Sequence, residues 1–289
     1  MVAPNEKIKV DLSPFEETML IPLWARGAEV HEDPPILCDE EAARLVDRLD
    51  YDFSILTDRM FMNSYMRTRF ALRSVVMDEY VQDFLTLYPR ATIVELGCGL
   101  STRFERVDNG ELQWYCLDLP DAMRFREKLV PATERCENMV GSMLEKDWIS
   151  RVLREEGPWM IVIEGVLPYF EEEQVKCLFK MLCDYFGGGR LVFDTQTELY
   201  RRLIKPGKLV YAEDSDSGLE FQWVVRDIHE IEKWDDRLEL LETQTTHDMV
   251  PRANHRIPLK IRMLEGVSKY WWGEYRLNVF EMVDEPVKD

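Results

Sequence analysis

The run Thr92-Ile93-Val94-Glu95-Leu96 leads directly into Gly97-Cys98-Gly99, and this junction narrows the folds open to the chain more than any other segment. Five residues rich in apolar and β-branched side chains read as a short buried strand. Two glycines immediately after it let the backbone turn sharply and pass close to a ligand. Such a bend suits the carboxyl end of a strand in an open α/β sheet, where ligands bind beside the point at which strand order reverses. The pattern downstream agrees. Strand-like runs recur at Leu112–Leu117, Asn138–Val140, Trp159–Ile163 and Leu191–Phe193, and helix-compatible segments separate them at Asp121–Leu129, Asp147–Glu155 and Glu171–Tyr185. Strand alternating with helix predicts βαβ units and a parallel sheet. Two later runs, Leu238–Thr243 and Tyr275–Met282, are expected to close it as a hairpin. The expectation is an α/β fold with a mostly parallel seven-stranded sheet and helices on both faces.

The segment before the first strand reads differently. Ser13 followed by Pro14 marks a helix start, and Asp39-Glu40-Glu41 opens a second helix ending near Leu49. The interval Phe61–Leu87 is helix-compatible, with Phe70, Val75, Val76, Tyr80, Phe84 and Leu85 forming an apolar stripe. Residues 1–88 are therefore expected to form an N-terminal helical cap on a core of residues 89–289, the two making a single structural unit. The stretch Pro206–Asp216 is expected to be a mobile loop.

Composition removes several classes of partner. Acidic residues number 55 against 36 basic ones, a formal charge of −19. A phosphate backbone or an anionic membrane surface would be repelled by most of such a surface, so neither nucleic acid nor membrane is an expected partner. Six cysteines occur without a C-x-x-C pair, which suits free thiols in a reducing cytoplasm. The N-terminus lacks an apolar signal core, and no apolar run reaches the ~18 residues of a membrane span. His31, His229, His247 and His255 have no metal-ligand spacing, so no metal is expected. The expected partner is a small-molecule substrate, with oligomeric state left open.

The chemistry of the strand ends points to a nucleotide-like cofactor. Asp118 ends the second strand about twenty residues after the glycine turn, where a carboxylate can accept hydrogen bonds from a ribose diol. Thr102 stands where the G-x-G-x-x-G fingerprint needs its third glycine, which disfavours a dinucleotide whose pyrophosphate must sit on the helix terminus. Glu95, Asp118 and Glu164 place acids at three strand ends. An adenosyl cofactor without phosphate, carrying a sulfonium and an amino-acid tail, matches these acids: S-adenosyl-L-methionine, with S-adenosyl-L-homocysteine as its product.

At this point the residues carry a family likeness. Val94-Glu95-Leu96-Gly97-Cys98-Gly99-Leu100-Ser101-Thr102-Arg103 resembles the "LGxGLDTR" signature of the leucine carboxyl methyltransferase-like family, in particular its bacterial branch of polyketide O-methyltransferases of the tetracenomycin type. Glu17-Thr18-Met19-Leu20-Ile21-Pro22-Leu23 resembles that branch's "ETLLIPL", Leu117-Asp118-Leu119-Pro120 its "DLP", Ser142-Met143-Leu144 with Trp148 its "SVLDxxW", Glu164 to Phe170 its "EGLLMYF", and Leu191-Val192-Phe193-Asp194 its "LVFD". The resemblance implies a Rossmann-like methyltransferase fold, an O-methylation activity in secondary metabolism, and roles at matching positions. Arg73 would pair with the carboxylate of S-adenosylmethionine. Gly97, Cys98 and Gly99 would contact its methionine part, with Glu95 beside them. Asp118 and Leu119 would take the ribose, Ser142 and Met143 the adenine edge, and Glu164 with Gly165 the methionine amino end. Tyr169 is the candidate catalytic residue, either lining the acceptor pocket or packing.

Two departures stand out: Ser101 replaces the family's usual aspartate and Pro168 its usual methionine. Arg67 and Arg69 read as surface or interhelix charges. Cys98 could be a stabilised thiolate or a small packing residue, and the aromatic group Tyr270, Trp271, Trp272 and Tyr275 could face a substrate or belong to the core. His229 or His247 could serve as a base for a hydroxyl acceptor, whereas a carboxylate acceptor needs none. The competing readings are an NAD-type oxidoreductase and a non-catalytic binder of S-adenosylmethionine.

Overall fold

Strand β1, Thr92–Leu96, lies inside a seven-stranded sheet formed with β2 (Gln113–Asp118), β3 (Cys136–Val140), β4 (Trp159–Ile163), β5 (Gly189–Thr195), β6 (Leu238–Thr245) and β7 (Arg276–Met282). The computed structural model describes residues 7–54, 64–196, 221–260 and 275–284, together with Glu198 and Met263. The strand order is β3-β2-β1-β4-β5-β7-β6. The first five strands pair in parallel; β7 runs antiparallel between β5 and β6. A mostly parallel sheet of seven strands, as the alternation predicts, is what forms. The two late strands pair antiparallel, as the expected closing hairpin requires, but their connection is long. The end of β6 carries no Asn-Gly or Gly-rich turn; instead the Thr245 side chain accepts a hydrogen bond from Asp248 N–H and starts a helical turn, Thr246–Met249, so the chain travels before re-entering the sheet as β7.

Both faces of β1 are covered. Val94 and Leu96 pack with Ile161, Ile163, Leu191 and Phe193 beneath helix Glu172–Tyr185, whose Leu178, Phe179 and Leu182 are fully or almost fully buried. Ile93 faces the other way, with Trp114, Met160 and Val162, against Leu72, Val76, Tyr80 and Phe84 of helix Ser64–Leu87. A parallel strand buried on two sides needs an unbroken apolar run, which is why all five residues of β1 are buried. Truncating Phe179, which has no exposed surface, to alanine would cost roughly 3–5 kcal/mol. The Asp147–Glu155 helix shrinks to one turn, Ile149–Val152. Trp148 provides no capping side-chain bond there, and Gly157-Pro158 forces extended backbone before β4.

In chain order the longer helices are α1 (Leu20–Glu29), α2 (Glu40–Arg48), α3 (Ser64–Leu87), α4 (Arg103–Val107), α5 (Pro120–Leu129) and α6 (Glu172–Tyr185). Asp39 caps α2 by accepting from Ala42 N–H at 3.0 Å. The expected start at Ser13 gives only one turn, Pro14–Glu17, before α1 begins. Leu20, Leu23, Ala42 and Leu45 pack on Leu100, Phe125 and Leu129, laying α1 and α2 across the loop that leaves β1. Of the long interval Phe61–Leu87, the described part is α3, which carries Arg73 to the strand tips. The Pro206–Asp216 segment lies outside the described residues. Among those described, no helix is long and apolar enough to cross a membrane.

Candidate cofactor and active site

Strand order reverses at β1, whose neighbours are β2 on one side and β4 on the other, so the crevice forms where the predicted glycine turn leaves the sheet. Gly97 has φ +68°, and a Cβ there would come within 2.6 Å of Val166 Cγ2; only glycine satisfies both the conformation and the approach. The N–H groups of Gly97 and Cys98 donate to Leu117 O at 2.8 and 3.2 Å, binding the turn to the end of β2. Two buried arginines hold the other side of the loop. Arg126 Nη1 donates to Gly99 O at 3.1 Å and Ser101 O at 2.7 Å, and Arg26 Nη2 donates to Leu100 O at 2.8 Å. Three successive carbonyls are thereby fixed by side chains from α5 and α1.

The acids at the strand ends sit in distinct electrostatic settings. Asp118 Oδ2 accepts from Gly99 N–H at 2.6 Å and Oδ1 from Leu119 N–H at 2.7 Å. Burial nevertheless pushes its pKa up against those hydrogen bonds. Glu95 lies beneath the turn, accepting from Ser101 Oγ at 2.9 Å and from Arg103 Nη1; burial drives it up to about 7 against the pull of Arg103. Glu164, at the tip of β4, accepts from Arg73 Nε at 2.5 Å and from Arg103 Nη2. Burial opposes its ionisation, but the two guanidinium groups win and hold the carboxyl well below the usual range. Asp194 at the end of β5 accepts from Gly165 N–H at 2.7 Å and from the buried Tyr275 hydroxyl at 3.2 Å, with Arg73 Nη1 4.0 Å away.

Arg103 is the organising cation that sequence reasoning left out of the site. Its Nε donates to Asp78 at 2.8 Å while Nη1 and Nη2 reach Glu95 and Glu164, so one guanidinium spans α3, β1 and the β4 tip. The available signal was its place as the last residue of the glycine-loop signature.

The glycine turn with Glu95, Asp118, Glu164 and Arg73 borders a cavity of about 360 Å³, within the usual range for small-molecule sites. All twelve positions singled out from the sequence line it: Arg73, Glu95, Gly97, Cys98, Gly99, Asp118, Leu119, Ser142, Met143, Glu164, Gly165 and Tyr169. Arg26, Phe70, Gln196 and Phe221 line it as well and were not foreseen. The described lining includes neither Arg67, which pairs with Glu32 at 3.1 Å, nor Arg69, whose Nη2 lies 3.4 Å from Thr246 Oγ1. None of the four histidines lines it; His229 sits on an exposed turn with Nδ1 2.7 Å from Glu232. Cys98 is buried, and burial raises its thiol pKa, which fits packing. Tyr270, Trp271 and Trp272 lie outside the described residues, and Tyr275 is a core residue bonded to Asp194.

Known proteins share this arrangement of sequence. The leucine carboxyl methyltransferase family model matches residues 19–183. The tetracenomycin polyketide synthesis O-methyltransferase TcmP of Streptomyces glaucescens is 29% identical over 215 residues, 74% of this chain and 76% of that protein. The S-adenosyl-L-methionine-dependent methyltransferase dpfgK of Gibberella zeae is 30% identical over 244 residues, 78% of this chain and 80% of that protein. Among solved structures, a sarcosine dimethylglycine methyltransferase described as putative, from Galdieria sulphuraria, is similar at 12% identity and a TM-score of 0.47, over 75% of this chain and 88% of that one. The chain belongs to the leucine carboxyl methyltransferase family and is an S-adenosylmethionine-dependent methyltransferase.

Proposed function

We propose that the chain methylates an oxygen of a small molecule, a carboxylate or a phenolic, polyketide-like hydroxyl. The observation that carries this reading is that one cavity joins the glycine turn and its acids to an apolar wall containing Phe70, Tyr169 and Phe221. The residues present fit the cofactor. Gly97 has no side chain to obstruct the cofactor's methionine chain. Asp118 keeps lone pairs for a ribose diol beside its two backbone donors. Arg73 and Glu164 offer opposite charges side by side, as a zwitterionic amino-acid tail requires.

S-adenosylmethionine supplies a methyl group made electrophilic by its sulfonium sulfur. In this reading Arg73 holds its carboxylate, Glu164 with Gly165 its ammonium end, and Gly97, Cys98 and Gly99 its methionine chain, with Glu95 adding negative charge beneath. Ser142 and Met143 border the adenine, and Asp118 and Leu119 the ribose. Tyr169 lies on the acceptor side. Methyl transfer is an in-line displacement, so the protein's contribution is orientation and exclusion of water. Residues 1–88 act as a cap over this crevice, with α1 supplying Ile21, Pro22 and Arg26 to its wall. The name of TcmP, an O-methyltransferase of polyketide synthesis, supports a small-molecule acceptor, and the acidic surface is compatible with a cytoplasmic enzyme.

Isothermal titration with S-adenosylhomocysteine tests the core of the proposal. Wild-type protein is expected to bind at about micromolar strength, Arg73→Ala and Asp118→Ala more weakly, and NADH not at all. Absence of binding to the wild type rejects the assignment of these residues. Transfer of labelled methyl to an oxygen of any small-molecule acceptor separates an active enzyme from a binding protein.

A further inference from the structure

We infer that the acceptor carries an aromatic ring with a neutral hydroxyl, and that the side-chain oxygen of Gln196 receives the proton of that hydroxyl as a hydrogen bond; this rests on the methyltransferase reading above.

Gln196 follows β5 directly and lines the cavity with only 7% of its surface exposed. Its Oε1 is buried and has no hydrogen-bond partner among the described residues. The polar groups beside it are satisfied. Asp194 takes Gly165 N–H and the Tyr275 hydroxyl, and Thr195 Oγ1 lies 3.4 Å from Asn278 Nδ2. A buried acceptor left without a donor costs on the order of tenfold to a hundredfold in an equilibrium constant, and native structures keep few of them without a reason. An amide oxygen can only accept, so whatever completes it must bring an O–H or N–H.

The surroundings narrow the donor to a hydroxyl on a ring. Phe70, Tyr169, Phe170 and Phe221 line the same cavity, and the Tyr169 and Phe221 rings lie 5.2 Å apart at 46°. Phe221 is held there by its neighbour: Gln222 N–H donates to Pro168 O at 2.7 Å and Gln222 Nε2 to Tyr169 O at 2.9 Å. Flat apolar walls favour a planar ring. A charged substituent is poorly served near them. The cations among the described lining residues are already committed, Arg26 to Asp39 at 2.9 Å and Arg73 to Glu164 at 2.5 Å and to the cofactor's carboxylate, so none is left for an anionic substituent. A cation is better served by Glu95, Asp118 and Glu164, which line the same cavity and are assigned to the cofactor. A neutral phenol-type hydroxyl meets both conditions. No bond is made or broken at Gln196; it selects the acceptor and sets the ring's orientation.

The test uses the full chain saturated with S-adenosylhomocysteine and titrated with 2-naphthol and 2-methoxynaphthalene, which share a ring and differ in the donor. Wild type is expected to prefer 2-naphthol by roughly tenfold or more. In Gln196→Leu the preference is expected to fall to within about twofold while the affinity for S-adenosylhomocysteine stays unchanged; Gln196→Met replaces it if the leucine variant no longer binds S-adenosylhomocysteine. A preference that survives in the variant, equal binding of the two probes by wild type, or no binding of either, overturns the inference. Failure of wild type to bind S-adenosylhomocysteine at all is a different result, and it defeats the cofactor reading on which this one stands.

Discussion

Arg73 Nε donates to Glu164 Oε1 at 2.5 Å, joining the middle of α3 to the tip of β4. The two side chains are only 12% and 10% exposed. Burying a charge pair is tolerable only with close geometry and further hydrogen bonds, and removing one member leaves the other uncompensated. Arg73→Ala is therefore expected to lower unfolding free energy by about 3–5 kcal/mol and to weaken S-adenosylhomocysteine binding by roughly tenfold or more. Arg73→Lys keeps the charge without the planar fork and should recover only part of either loss. Urea denaturation and calorimetry on the same samples check both. Unaltered affinity in Arg73→Ala would remove this residue from the cofactor site.

Arg103 should be the more sensitive position. Its three nitrogens serve Asp78, Glu95 and Glu164, so its loss strips Glu95 of its ion pair and takes one partner each from Asp78 and Glu164, which keep Arg106 and Arg73. Arg103→Met is expected to cost at least as much stability as Arg73→Ala, and Arg103→Lys to fail as a substitute, because an ammonium cannot span three partners in a plane. Adding Glu95→Gln to Arg103→Met should recover part of the loss by deleting the carboxylate whose ion pair Arg103 supplied. Strictly additive losses in that double variant would show that the two residues do not act as a unit.

The central strands of the sheet were legible because each is a short apolar run closed by a turn or an acid, whereas the edge strands Cys136–Val140 and Leu238–Thr245 mix polar and apolar residues. The cavity was legible for a related reason: the residues that border it lie at strand ends, where short motifs such as Gly97-Cys98-Gly99 and Glu164-Gly165 sit beside a strand that can be recognised. Buried arginines were not legible. Arg103 and Arg126 stand among charged neighbours in helices and look like surface residues, and Arg26 reads as the exposed position of an apolar helix. Their burial follows from partners far along the chain, such as the Leu100 carbonyl that Arg26 reaches across 74 positions. Gln196 was hidden similarly, since an amide after a strand reveals nothing until its missing partner is seen in three dimensions.

Glu95 should make cofactor binding depend on pH near neutrality. Burial raises its pKa to about 7, so the folded chain holds a proton that the unfolded chain releases at lower pH. Its contribution to stability is thus present below the ordinary carboxylate range and fades as pH rises through about 7. Glu164 has the opposite sign: its lowered pKa gives stability above the ordinary range that is lost on acidification. A cationic ligand favours ionised Glu95, so affinity for S-adenosylmethionine is expected to rise with pH through about 7 and then level off, with a proton released on binding. Calorimetry in two buffers of different ionisation enthalpy reads that proton directly. In Glu95→Gln the rise should vanish; its persistence would assign it to another group.

Gly97→Ala tests whether the turn must lie as tightly as it does. The residue has φ +68°, where an L side chain is strained, and its new Cβ would meet Val166 Cγ2 at 2.6 Å and Met143 Cε at 3.1 Å. Two separate costs follow, one conformational and one steric. Shortening Val166 relieves only the second. Gly97→Ala is expected to lose about 1–3 kcal/mol of stability and most S-adenosylhomocysteine binding, because Val166 and Met143 border the same cavity as the turn. Adding Val166→Ala should restore stability in part. Binding should remain impaired, since relieving the clash leaves a methyl group on the surface that the cofactor must approach. A Gly97→Ala protein that binds S-adenosylhomocysteine as wild type does would mean that the cofactor passes elsewhere, and the roles assigned to Gly97, Cys98 and Gly99 would go with it.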